Sequence, residues 1–175
     1  MYQFLSRIGK TYFPKSQHKL FKFIFNASPM YRRSTGKVTS VTPGFWRVEV
    51  KIPLSYKNRN YAGTLFGGSL FSATDPIYFI QLVQILGKDY IVWDKSSLVK
   101  FKRPGTDDAF VTFRFEEQEI ANLKARVDSE KEVDIRKIVE IKSRDGLVYC
   151  EIEKVIYVAE KKFYKEKKAQ QAQKK

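Results

Sequence analysis

The chain has very little of the two residue types that most often bind metals or form cross-links. Among its 175 residues there is one cysteine, Cys150, and one histidine, His18. A single cysteine excludes an intramolecular disulfide and a zinc site made of several thiolates, and it is typical of a reducing compartment. Any Ser-His-Asp or Cys-His mechanism would have to use His18, and no G-x-S-x-G motif accompanies it. We therefore expect a cytoplasmic protein without a metal site or a bound cofactor.

Acidic residues are also few relative to basic ones. Asp and Glu number 19 and Lys and Arg number 33, so the formal net charge is +14. Much of the excess lies at the ends of the chain. The tail after Ala159 has only Glu160 and Glu166 as acidic residues, against Lys161, Lys162, Lys165, Lys167, Lys168, Lys174 and Lys175. Such a tail is usually a solvated extension, and the sequence has no zinc-finger spacing, aromatic RNP motif or helix-turn-helix. We expect no specific nucleic acid partner, because acidic small molecules and weak contact of the basic ends with an anionic membrane fit the charge better.

Three segments of the chain differ in composition. Residues 1–36 are predicted to be a helical segment, residues 37–159 a folded domain, and residues 160–175 a basic tail that is either a helical extension or disordered. Residues 1–9 have helical spacing but are too short and too charged for a secretory signal peptide. Residues 16–27 have an apolar face and a basic face. They predict an amphipathic helix that either caps the open end of a sheet or lies on a membrane surface.

Residues 60–88 form the centre of the predicted domain. A glycine-containing turn is followed by apolar residues that cover every side of a helical wheel, and Gly87 ends the segment. A helix that is apolar all round is a buried one, and its polar interruptions and flanks are unlike those of a membrane span. Alternating apolar and polar residues predict strands at residues 37–42, 45–52, 90–102, 109–116, 133–143 and 147–158. We therefore predict an α+β fold, an antiparallel six-stranded sheet wrapped around a long central helix, with an exposed helix at residues 119–132.

Two motifs in and after this central segment resemble a known family. Residues 60–68 read N-x-x-G-T-x-F-G-G, with Asp75 nine positions after Phe66, and residues 99–105 read V-K-F-K-R-P-G. Over residues 37–158 the chain resembles the hotdog-fold thioesterases, closest to the phenylacetate-degradation type and the adjacent thioesterase-like family of unknown function. In that type a His-Gly-Gly run opens the central helix, and an acidic residue nine places after the His is the catalytic carboxylate. Here Phe66 stands in place of the His.

The resemblance implies a hotdog fold and a homodimer whose sheets join edge to edge, with a dimer of dimers as the larger alternative. It also implies a site at the subunit interface for an acyl thioester of coenzyme A or of a carrier protein. Coenzyme A would then enter only as part of the substrate. Sheet geometry agrees with dimerisation, because an open six-stranded sheet has two edges and pairing of two copies hides one of them.

Asp75, Gly67, Gly68 and Asn60 match the catalytic motif of that family. The backbone N–H groups of Gly67, Gly68 and Ser69, at the start of a helix, can stabilise a developing oxyanion. Alternatively, the glycines only let the chain turn tightly. Asn60 would orient a water molecule or the substrate carbonyl, or else satisfy the backbone of its own loop.

Asp75 would activate the attacking water or attack the carbonyl itself. We expect apolar side chains, those of Phe71, Ile77 and Phe79, around its carboxyl group. In the alternative interpretation Asp75 caps a second helical segment that begins at Pro76 after a break in the helix.

The other candidate binding residues are Phe66, Thr64, Ser69, Asp94, Ser96, Ser97, Lys100, Lys102 and Arg103. The basic members would meet the phosphates of coenzyme A or form a solvated rim, and one or more of the polar strand residues would face the cleft of the partner subunit. Aromatic residues expected in the core rather than in an acyl tunnel are Trp93, Phe101, Phe113 and Phe115. Because Phe66 removes a polar group near the thioester carbonyl, a non-catalytic protein that binds acyl groups or thioesters is the alternative to a hydrolase.

Overall fold

A computed structural model describes residues 16–173 of the chain. Its helices are α1 (Gln17–Ala27), α2 (Pro29–Arg33), α3 (Gly67–Leu86), α4 (Glu117–Glu130) and α5 (Lys161–Gln173). Its strands are β1 (Lys37–Val41), β2 (Arg47–Ile52), β3 (Tyr90–Phe101), β4 (Ala109–Arg114), β5 (Glu132–Lys142) and β6 (Val148–Glu160). The helical spacing in residues 1–9 lies outside the described residues.

All six strands form one antiparallel sheet, as the alternating sequence pattern predicts. Their order is β1-β2-β4-β5-β6-β3, and every neighbouring pair is antiparallel. β4 and β5 are joined by a single residue pair, Phe110 with Lys142, and α4, which connects them in sequence, packs against β5 and β6. The predicted α+β class, with the sheet wrapped around one long helix, is confirmed.

The central helix α3 is buried on the concave side of the sheet. Leu70, Ala73, Ile77 and Leu82 are almost fully buried, and alternate residues of β2, β4 and β6 face the same core. Gly87 follows the helix with φ of +85°, a conformation that favours glycine over residues with a side chain. Within residues 16–173, no helix is long and apolar enough to cross a membrane.

The edge of the sheet at β1 is covered by α1. The Asn26 side chain donates from Nδ2 to the Val38 carbonyl and accepts the Val38 N–H at Oδ1, both at 2.8 Å. Lys22 Nζ donates to the Thr39 carbonyl at 3.2 Å. These contacts occupy backbone groups that another strand would otherwise pair with. The amphipathic helix therefore caps the sheet, which is the first of the two interpretations of its sequence.

The opposite edge of the sheet, at β3, is open in the part of the chain that the structure describes. This strand of 12 residues pairs with β6 alone. Trp93 and Phe101 are 53% and 61% exposed, so the prediction that they lie in the core is wrong; both extend from a strand with no neighbour on its outer side. Phe113 and Phe115, at and after the end of β4 in the middle of the sheet, are buried as predicted.

Candidate functional site

The loop before α3 is held by the side chain of Asn60. Asn60 Oδ1 accepts the N–H groups of Ala62 and Thr64, each at 3.0 Å, and Nδ2 donates to Thr64 Oγ1 at 2.9 Å. Both ends of the Asn60 amide are thus used inside its own loop. This supports the interpretation in which Asn60 satisfies the loop backbone and aims the chain into the helix.

The first turn of α3 presents two free backbone donors. Ser69 N–H bonds to the Phe66 carbonyl at 3.0 Å, so the prediction that this amide is a free donor is wrong. Gly67 N–H and Gly68 N–H make no hydrogen bond with any residue from 16 to 173. Because the positive end of the helix dipole lies here, an oxyanion placed at these two amides would be stabilised.

The glycine pair also lets two aromatic rings lie against the helix start. A Cβ atom at Gly67 would be 2.6 Å from the Phe101 ring, and one at Gly68 would overlap the Phe66 ring. Such contacts are far shorter than real Cβ contacts, so only glycine fits beneath the rings as they stand. Phe66, the residue in the position of the family's His, is 56% exposed.

A cleft of about 410 Å³ opens beside the start of α3. It brings together five of the predicted site residues, Asn60, Thr64, Gly67, Lys102 and Arg103. The Arg103 guanidinium donates to the Val148 carbonyl at 3.3 Å and is otherwise exposed.

Glu151 forms ion pairs with two of the residues predicted to bind phosphate, Lys100 and Lys102. Lys100 and Lys102 lie 3.3 and 3.6 Å from its carboxylate oxygens, and these contacts lower the pKa of Glu151. Both lysines are exposed, so their ion pairs with Glu151 are weak and a phosphate group could replace the carboxylate. The arrangement is compatible with the basic rim as well as with phosphate binding.

Asp75 lies in the middle of α3, away from this cleft. The helix runs without a break through Pro76, so Asp75 does not cap a second helical segment. The predicted apolar surroundings of its carboxyl group are also wrong, because Asp75 Oδ1 is bonded to Lys154 Nζ at 2.8 Å. The Asp75 side chain remains 46% exposed.

Lys154, on β6, is the functional candidate that sequence reasoning missed. Its side chain is 1% exposed, and Nζ donates to Asp75 Oδ1, to the Asp75 carbonyl at 2.5 Å and to Asp94 Oδ2 at 2.9 Å. The three N–H groups of the ammonium are therefore all used. The missed signal is the strand alternation: Lys154 shares its inward-facing register with Ile152, Ile156 and Val158, so a lysine occupies a core position.

Asp94 is the second carboxylate on Lys154. Burial raises the pKa of Asp94, and the charge of Asp75 adds to this rise, whereas the bond and charge of Lys154 oppose it. Ser97 is the register partner of Lys154 and Ser96 that of Val155, so the two predicted serines lie on opposite faces of β3. Ser97 belongs beside the lysine, whereas Ser96 does not.

The model of a family described as a domain of unknown function (DUF4442) matches residues 17–158. The chain belongs to this family. A search of curated proteins finds no match to the chain.

Solved structures show which fold this DUF4442 protein has. A Pseudomonas aeruginosa protein of unknown function, named a probable thioesterase, is 18% identical with a TM-score of 0.71, over 81% of this chain and 95% of that one. A Chlorobaculum tepidum protein of unknown function is 16% identical with a TM-score of 0.66, over 84% and 96%. A Haemophilus influenzae thioesterase is 10% identical with a TM-score of 0.60, over 82% and 90%. The DUF4442 chain therefore has the hotdog fold of thioesterase-like proteins, as the sequence resemblance predicts.

The candidate residues of this DUF4442 protein form two groups. One surrounds the start of α3, and the other surrounds Lys154. Gly67 and Asp75 are eight positions apart on one continuous helix, which corresponds to about 12 Å along its axis. A single substrate carbonyl cannot contact both of them within one chain.

Proposed function

We propose that this protein hydrolyses acyl thioesters of coenzyme A or of a carrier protein at the interface of a homodimer. Asp75 activates water, and the N–H groups of Gly67 and Gly68 stabilise the oxyanion. The observation that carries the proposal is the half-exposed carboxylate of Asp75 on α3, which is fixed by the fully buried Lys154 on β6, the strand next to the open edge strand β3. A general base must be held in position and must remain accessible to the water it activates, and Asp75 meets both conditions.

The two groups of residues would meet across the dimer. β3 is a long, exposed edge strand, and antiparallel pairing of β3 with the same strand of a second copy would satisfy its unpaired backbone groups. It would also cover Trp93, Leu98 and Phe101, which are exposed in one chain. A twofold axis at β3 would place the two α3 helices antiparallel and would let Asp75 of one copy approach the helix start of the other.

The proposed reaction needs no group beyond these. Asp75 takes a proton from water as the water oxygen bonds to the thioester carbonyl carbon, and the negative charge on the carbonyl oxygen is met by the two glycine amides. The carbon–sulfur bond then breaks, and the thiolate receives the proton held by Asp75. The products are a carboxylic acid and a thiol. Lys102 and Arg103, on the rim of the cleft, would bind the phosphates of a coenzyme A substrate.

Release of thiol from a panel of acyl-coenzyme A and acyl-carrier thioesters tests this proposal. The Asp75→Asn variant should lose at least about a hundredfold in kcat, the range expected for a general base. The matched control is Asp128→Asn, an exposed aspartate on α4 remote from the site, which should keep full activity. Unchanged turnover in the Asp75 variant would remove that residue from the mechanism.

A non-catalytic role is the second candidate. The Phe66 ring lies against Gly68 at the helix start, at the position where the resembled type has a His, so the polar side chain of that type is replaced by an apolar one. Calorimetric titration with a non-hydrolysable thioether analogue of acyl-coenzyme A would then show saturable binding, while the matching thioester would bind without turnover. Hydrolysis at ordinary enzyme rates would rule this candidate out.

Weak contact with an anionic membrane is a further proposal, favoured by the exposed face of the N-terminal helices. No acidic residue precedes Glu49 in the chain, and Phe23 and Met30 are exposed beside Lys19 and Arg33. Exposed apolar groups with basic neighbours bind anionic bilayers. Co-sedimentation with phosphatidylserine vesicles should fall in Phe23→Ser and should vanish with phosphatidylcholine alone. Equal sedimentation with both lipids would contradict this contact.

A further inference from the structure

The most unusual group in the molecule is the buried ammonium of Lys154 between two carboxylates. Resting on the proposed function, we propose that Lys154 and Asp94 are the positioning residues of the site: Lys154 fixes the orientation of Asp75, and Asp94 keeps Asp75 basic by neutralising the lysine.

The hydrogen bonds of Lys154 fix both the backbone and the side chain of Asp75. One N–H reaches Asp75 Oδ1 at 2.8 Å and another reaches the Asp75 carbonyl at 2.5 Å. The Asp75 carbonyl and Asp94 hold the ammonium group in place, so its bond to Oδ1 restrains rotation of the Asp75 carboxyl group. With Oδ1 held, Oδ2 is the remaining proton acceptor, and no hydrogen bond to Oδ2 forms within the described residues.

Asp94 provides a second counterion for the buried ammonium of Lys154. With Lys154 as its only neighbour, Asp75 would be a poor base, because taking a proton would leave a buried ammonium without a counterion. Asp94 Oδ2, at 2.9 Å from Nζ, supplies that counterion. The three groups carry a net charge of one negative unit before proton uptake and none after it. Neither state leaves Lys154 unpaired.

Within residues 16–173, the register neighbours of Lys154 on β5 and β3 add no unpaired charge to this cluster. Lys137 is the register neighbour of Lys154 on β5, and its ammonium bonds to both oxygens of Glu119 on α4, at 2.9 and 3.0 Å. It also lies over the ring of Tyr78. Tyr78, on α3, stays neutral because burial, with a further contribution from Glu119, raises its pKa. On β3, the register neighbour of Lys154 is Ser97, which carries no charge.

Two substitutions should therefore move the titration of the cluster in opposite directions. Lys154→Met removes the positive charge and leaves two carboxylates together, so proton uptake should shift to higher pH. Asp94→Asn leaves Asp75 alone with the lysine, so proton uptake by Asp75 should shift to lower pH. Each shift should be about one pH unit or more, the usual effect of a close charge. The double variant Lys154→Met/Asp94→Asn should return close to the unaltered protein.

Carboxyl-carbon NMR titration of the full chain tests the charges without any need for turnover. The acidic limb of the pH dependence of thioester hydrolysis provides the second readout. Opposite shifts in both measurements are the expected result. Opposite shifts in the NMR titration with no hydrolysis by any protein would uphold the cluster and refute the proposed function. Midpoints that coincide in all variants, or shift in the same direction, would overturn the inference.

Loss of folding in Lys154→Met would not remove the test. Asp94→Asn is nearly isosteric, and its side chain is partly exposed, so this variant alone is sufficient. A downward shift of the Asp75 carboxyl midpoint supports the inference, and no shift or an upward shift contradicts it. If the role of Asp94 were purely structural, Asp94→Asn would lower the free energy of unfolding but would leave the titration midpoint of the Asp75 carboxyl group unchanged.

Discussion

Removing both carboxylates from Lys154 should destabilise the protein far more than the two single substitutions together suggest. In Asp75→Asn the lysine keeps Asp94, and in Asp94→Asn it keeps Asp75. The new amides can still accept a hydrogen bond, so each single variant should lose about 1 kcal/mol of the free energy of unfolding. Simple addition therefore predicts a loss of about 2 kcal/mol for the double variant.

The double variant leaves a buried cation without any counterion. The Lys154 side chain is 1% exposed, so water cannot replace the lost charges. Leaving such a charge unpaired costs about 3–5 kcal/mol, so the double variant should be about 1–3 kcal/mol less stable than the sum of the singles. Adding Lys154→Met to the double variant should restore much of that loss, because the unpaired charge is then gone.

Equilibrium unfolding in urea at fixed protein concentration measures these differences. The matched control is Asp134→Asn, whose carboxylate pairs with Lys95 at 2.6 Å on the exposed face of the sheet. This exposed pair should contribute less than about 1 kcal/mol. If the losses in free energy of unfolding of Asp75→Asn and Asp94→Asn were strictly additive, Lys154 would not be left without a counterion in the double variant. That result would refute the reasoning.

Three further predictions concern the edge strand, Asp94 and the cysteine. Leu98→Glu, on the open edge strand, should convert the proposed dimer to a monomer in light scattering, whereas Ile138→Glu, at an even more exposed position on β5, should not. A dimeric Leu98 variant would contradict pairing through β3. Burial raises the pKa of Asp94, so the folded chain binds more protons than the unfolded one above about pH 4. The stability contributed by Asp94 should fall as pH rises from there through its folded pKa, and a steeper fall in Asp94→Asn than in the unaltered protein would contradict this. Burial raises the pKa of Cys150 to about 11, so its thiol should react with a disulfide reagent at pH 8 only after unfolding; rapid reaction of the folded protein would contradict the burial.

The fold was predictable because its signals are local and repeated. Alternation in every strand and an all-round apolar helix between Gly67 and Gly87 are properties of consecutive residues. The helix runs through Pro76 without a break, and side chains from outside it donate to carbonyls on both sides of the proline position: Tyr31 donates to the Ala73 carbonyl at 3.0 Å, and Lys154 donates to the Asp75 carbonyl. Those donors come from distant parts of the chain, so the local sequence could not reveal them.

The site was less predictable than the fold. The positions of Gly67, Gly68 and Asp75 came from a resemblance, but the partner of Asp75 lies 79 positions later in the chain. Strand alternation places Lys154 facing inward, yet it says nothing about which carboxylates it meets. Likewise, the exposure of Trp93 and Phe101 depends on the strand order. Because β3 is the last strand of the sheet, no neighbour on its outer side covers these two rings.

The amide of Asn26 on the backbone of β1 has a consequence for how many copies can assemble. A sheet whose two outer strands both have unpaired backbone groups can polymerise, because each added molecule presents another unpaired strand to the next. Here one margin is already occupied by the protein's own helix through Asn26 and Val38. Growth by strand addition would then end after a single event, and the product would be a closed pair instead of a fibre.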